Sequence, residues 1–131
     1  YGADEEKIDI HRAAWCFVML NRYPYTSGHV MIAPYAHVSR LSQASESAAE
    51  EMMRLTREAE STLERVYHPD GLNLGMNLGE AAGAGIEQHI HMHVLPRWTG
   101  DANFMTAIGE TRVLSEPLED TYTKLKRSFS G

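Results

Sequence analysis

Three histidines at alternate positions stand out as the residues able to do chemistry. His89, His91 and His93 are separated by Ile90 and Met92, and Val94 follows. In a β-strand, residues two apart project from one face. The spacing therefore predicts a row of imidazoles with Ile90, Met92 and Val94 on the opposite, core side. The chain has seven histidines in 131 residues, and chance seldom gathers three this way. A surface row without a role is the plainest reading. An affinity-tag tract would lack the alternating apolar partners. Zinc binding is the serious rival, since two histidines at i and i+2 make natural ligands completed from elsewhere. Against it, only Glu87 brings an acid close to the row, and the single Cys16 lies in another apolar run. Nucleophilic catalysis uses the middle imidazole. A neutral histidine attacks phosphorus through one ring nitrogen when the other is held protonated, often by a backbone carbonyl. Flanking imidazoles then donate to phosphate oxygens or the leaving group. Just upstream, Gly79, Gly83 and Gly85 mark a small-residue loop whose N–H groups suit phosphate.

Elements must hold that row in place. Lys7 to Arg12 and Trp15 to Leu20 read as the first two strands, the second mostly buried. Residues 21–28 form a turn-rich loop, and His29 to Ala33 reads as a third strand stopped by Pro34. The clearest helix runs from about Ser47 to Tyr67, with Ser47 and Glu50 as a capping box. Met52, Leu55, Ala59, Leu63 and Val66 form its core stripe, and Pro69-Asp70-Gly71 ends it. Leu72 to Leu78 alternates as a strand, with its Leu and Met residues on one face and Asn73, Gly75 and Asn77 on the other. The tail from about Leu118 to Phe129 fits a short helix. Strands and one long helix without a βαβ repeat imply an α+β fold with a largely antiparallel sheet.

Composition narrows the function further. The length suits a single domain, residues 1–131. No apolar run is long enough to cross a bilayer, and the first residues lack the features of a signal peptide. Cys16 reads as a small core residue, and the lack of a disulfide framework points to the cytoplasm. A net charge of −6 argues against a nucleic-acid partner but not against a small anionic substrate.

The stretch His89-Ile90-His91-Met92-His93-Val94-Leu95 resembles the signature of the histidine-triad (HIT) superfamily. Pro96-Arg97 after it resembles the fragile-histidine-triad and diadenosine-polyphosphate branch. Upstream, Asn21-Arg22-Tyr23-Pro24 through Gly28-His29-Val30 resembles the family's Asn-x-x-Pro and Gly-His segment, and His37 falls where many members carry a further histidine. Trp98 and residues 100–105 look like bacterial diadenosine-tetraphosphate phosphorylases. The likeness spans roughly residues 8–129.

The resemblance implies a HIT-like five-stranded sheet with one long helix and a short C-terminal helix, continued across a homodimer. It implies a nucleotidyl hydrolase or transferase acting on a dinucleoside polyphosphate or AMP conjugate, with water or phosphate as acceptor. His91 takes the place of the nucleophile, flanked by His89 and His93. Asn21, His29, Asn77, Ala84, Gly85 and Ile86 fall at nucleotide-binding positions. No metal is required at the triad, and a divalent cation accompanies the polyphosphate of an adenine nucleotide substrate. Well-known branches carry Gln with Ser or Thr where Gly85 and Ile86 stand, so only backbone N–H groups serve there. Two other readings remain open: a zinc-dependent hydrolase, and a nucleotide-binding module without turnover.

Overall fold

The structure is a computed structural model that describes residues 9–21, 27–82, 89–101 and 116–129. Its elements are β1 (Asp9–Arg12), β2 (Cys16–Leu20), β3 (Val30–Pro34), α1 (Glu46–Tyr67), β4 (Gly71–Gly75), β5 (Met92–Arg97) and α2 (Leu118–Ser128). The strands make one antiparallel sheet in the order β1-β2-β3-β5-β4. This is the α+β architecture expected from the sequence.

One face of the sheet carries the core. Cys16, Val18 and Leu20 of β2, Val30 and Ile32 of β3, and Ile90 and Val94 around β5 pack with Ala48, Met52, Leu55, Ala59 and Leu63 of α1. Each large apolar side chain buried this way contributes roughly 1.5–3 kcal/mol before entropy is counted. Four of the five stripe residues expected on α1 are buried, and Val66 is half-buried at its end. The Cys16 thiol donates to the Ala48 carbonyl at 3.3 Å. Burial, then the nearby Glu51 carboxylate, pushes that thiol up to about 11, so it behaves as a core residue.

Several local expectations need correction. The helix cap is Ser45, whose hydroxyl accepts from the Ala48 N–H at 3.1 Å, rather than Ser47. Ser45 holds extended backbone, as a cap must, whereas Ser47 is already helical. Trp15 is half exposed and lies just ahead of β2, where the Trp15 and Cys16 N–H groups donate to the Glu51 carboxylate at 2.6 and 2.7 Å. Pro34 is not outside β3 but its last residue, paired with Cys16. The fourth strand is shorter than Leu72 to Leu78. It stops at Gly75, opposite His93. Leu74 is 50% exposed despite lying on the same side as Val94, because β4 is the sheet edge while α1 covers β2, β3 and β5. Strand β1 is described only from Asp9, so Lys7 and Ile8 lie outside the described residues.

Candidate active site

Strand β5 begins at Met92, so only His93 of the three histidines sits on a paired strand. The expected single strand through His89 is therefore shortened. Its ladder with β3 ends at the pair Ile32 and Met92, because β3 terminates two residues later at Pro34, which has no N–H to offer. The Ile90 N–H instead donates to the Val38 carbonyl at 3.0 Å. Ile90 and Val94 are buried to 1% and 0% exposure as expected, while Met92 is half-buried.

The three rings do not form a uniform row. His91 and His93 meet edge to face, with centroids 4.6 Å apart. The His89 ring packs against His37 instead, at 4.9 Å. Burial, and to a lesser degree His37 and His91, keep His89 below the ordinary histidine range, although the Pro34 and Ala36 carbonyls oppose that shift. His89 contributes to the site through its backbone, since its carbonyl faces Nδ1 of His91 at 2.9 Å.

Behind His93 stands a second histidine. Nε2 of His29 lies 2.9 Å from Nδ1 of His93, and Nδ1 of His29 lies 3.1 Å from Nδ2 of Asn21. His29 is 5% exposed. Burial first, then the His93 and His91 rings, lowers its pKa to about 4. It is therefore neutral near pH 7. Burial and then His91 lower His93 as well.

These contacts set the tautomers of His29, His93 and His91. The Asn21 amide nitrogen only donates, so Nδ1 of His29 accepts and its Nε2 carries hydrogen. That N–H donates to Nδ1 of His93, which leaves the His93 proton on Nε2. A carbonyl only accepts, so Nδ1 of His91 is the protonated nitrogen and Nε2 keeps its lone pair in the neutral ring. The arrangement offers a nucleophilic nitrogen on His91 beside an outward N–H on His93.

The sheet register sets the surroundings. Met31 pairs with His93 and Met19 pairs with Met31, so two half-buried thioether side chains lie in register with the site. Asn77 is exposed two residues beyond Gly75, the β4 residue that pairs with His93. Ala84, Gly85 and Ile86 lie outside the described residues. Sequence matching found Asn21 and His29 but not their linkage, since His29 and His93 are 64 positions apart with no pattern joining them. Among the described residues, no three His, Cys, Asp or Glu side chains converge as a metal-binding group. No helix among the described residues is long and apolar enough to cross a membrane.

Comparison with known proteins gives the family. The HIT domain family model matches residues 5–100. The chain is 42% identical over 119 residues to the AP-4-A phosphorylase of Mycobacterium tuberculosis, covering 91% of this chain and spanning 61% of that protein's length. It is 28% identical over 91 residues to the asymmetrical bis(5'-nucleosyl)-tetraphosphatase of Schizosaccharomyces pombe, covering 70% of this chain and 50% of that one. Its fold is similar to that of a Zn-bound histidine triad family protein from Mycobacterium smegmatis, with a TM-score of 0.72 at 24% identity, covering 92% of this chain and 82% of the other. With the motif, the fold and the family match in agreement, the chain belongs to the HIT domain family.

Proposed function

We propose that this protein cleaves the α-phosphate linkage of a dinucleoside polyphosphate, such as diadenosine tri- or tetraphosphate, or of an AMP conjugate. Two in-line displacements carry the reaction. Nε2 of His91 forms a bond to the α-phosphorus as the bond to the leaving oxygen breaks. Water or phosphate then attacks that phosphorus and releases His91. The observation that carries this reading is the contact between Nδ1 of His91 and the His89 carbonyl, which puts the proton of the neutral ring on Nδ1 and the lone pair on the attacking Nε2. His93, its tautomer set by His29, donates Nε2–H to the phosphate oxygens as charge builds.

Binding follows from the same face. Met19 and Met31 offer an apolar surface for the base, and the side-chain amides of Asn21 and Asn77 serve the nucleotide. In this proposal the backbone of Ala84, Gly85 and Ile86 cradles phosphate, the triad itself needs no metal, and a divalent cation travels with the polyphosphate. The protein works in the cytoplasm as a homodimer whose sheet continues across the β4 edge. The names of the two relatives, a phosphorylase and a tetraphosphatase, support this substrate class and leave both acceptors open.

The test is product analysis with diadenosine tetraphosphate, with and without inorganic phosphate. AMP plus ATP marks hydrolysis, and ADP plus ATP marks phosphorolysis. Tight binding without any turnover, on this and on the triphosphate and AMP-conjugate substrates, would contradict the enzymatic reading.

A further inference from the structure

One knot in the fold joins parts of the chain that are far apart in sequence. Glu116, just ahead of α2, donates its backbone N–H to Oγ of Ser27 at 2.8 Å. Its carboxylate accepts from the Tyr67 hydroxyl at the end of α1. The same carboxylate accepts from Oγ1 of Thr121 at 2.9 Å and from Nζ of Lys124 at 2.8 Å. Burial raises the Glu116 carboxyl, but the Lys124, Tyr67 and Thr121 hydrogen bonds outweigh it and hold the group below the ordinary carboxylate range.

The knot closes around the turn that delivers His29. Ser27 is 8% exposed, and the next residue, Gly28, has φ +84. A Cβ on Gly28 would lie 3.0 Å from Cε2 of Tyr67. The turn is thus held on one side by the Glu116 backbone and on the other by the Tyr67 ring, whose hydroxyl is fixed by the Glu116 carboxylate. His29 follows immediately, with both ring nitrogens engaged. A hydrogen-bonded ring pair of this kind tolerates little displacement, because donor and acceptor must stay aligned.

We propose that Glu116 is a positioning residue for the His29 and His93 pair, locking the Ser27–Gly28 turn from a segment 89 positions away. Its catalytic consequence rests on the role proposed above for His93, whereas its effect on ring geometry does not. The test pairs kinetics with the ring-nitrogen NMR signals of His29 and His93, measured below the melting temperature of each variant. Glu116→Ala should shift both sets of signals and lower kcat about tenfold or more, with KM changed less than about twofold. Glu116→Gln keeps an acceptor oxygen and should restore most of both. If Glu116→Ala does not fold, Tyr67→Phe, which removes one bond to the carboxylate and keeps the ring, should shift the same signals. Unmoved ring signals in the folded variant, with only the melting temperature lowered, would make Glu116 an anchor for α2 and overturn the proposal. The NMR readout needs no turnover, so it stands even if the substrate class is wrong.

Discussion

His29 and His93 share a hydrogen bond of 2.9 Å between Nε2 and Nδ1, which ties the turn ahead of β3 to the triad strand. That bond needs a neutral His93, because a protonated His93 no longer accepts at Nδ1, and the Asn21 contact needs a neutral His29, whose Nδ1 is the acceptor. His29 and His93 both lie below the ordinary histidine value, mainly through burial.

Stability should therefore fall in mild acid. An unfolded His29 takes up a proton below about 6.5, whereas the folded one does so only near 4. Between those values the unfolded chain binds more protons, so lowering pH weakens folding across that window. The effect is complete near pH 4 and amounts to roughly 3 kcal/mol from this group. Urea midpoints measured from pH 7 to 4 should decline, and His29→Asn should flatten the decline. Urea midpoints that hold constant over the window would contradict the burial of a neutral His29.

Gly28 should not accept a side chain. Its φ of +84 is left-handed, and an added Cβ would meet Tyr67 at 3.0 Å and Leu63 at 3.1 Å. Gly28→Ala is expected to cost about 1–3 kcal/mol in denaturant unfolding and to reduce turnover by displacing His29. Wild-type stability in that variant would show that the turn yields easily.

The β4 edge carries the proposed dimer. Leu74 is 50% exposed there, and a Cβ on Gly75 would meet nothing within 4 Å. An apolar, open edge is a template for pairing unless covered. Sedimentation at micromolar concentration should show a dimer for the native chain and a monomer for Leu74→Lys. A native chain that sediments only as monomer would remove the continuous sheet.

The alternation around His91 and the stripe on α1 make the fold legible in the sequence. Ile90, Val94, Met52, Leu55, Ala59 and Leu63 all lie in the core they implied. Period-2 patterning could not show where the ladder stops, because that depends on Pro34 and on the turn after β3. It also could not separate Ser45 from Ser47 as the cap, since both precede helix-compatible residues and the choice is made by backbone geometry. Within the site, residue types identified the histidines but not their pairing. His89 with His37, and His93 with His29, are set by tertiary packing rather than spacing. Glu116 gave no signal in the sequence, being one carboxylate among 18 acidic residues.

His91 is the proposed nucleophile, and the most direct measurement of that role is the turnover of His91→Asn on diadenosine tetraphosphate beside its affinity for the same nucleotide. Asparagine keeps the approximate size of the side chain but has no imidazole nitrogen to attack phosphorus. Turnover should fall by at least about three orders of magnitude while binding stays near the native value. His91→Asn with near-native turnover would contradict the covalent route.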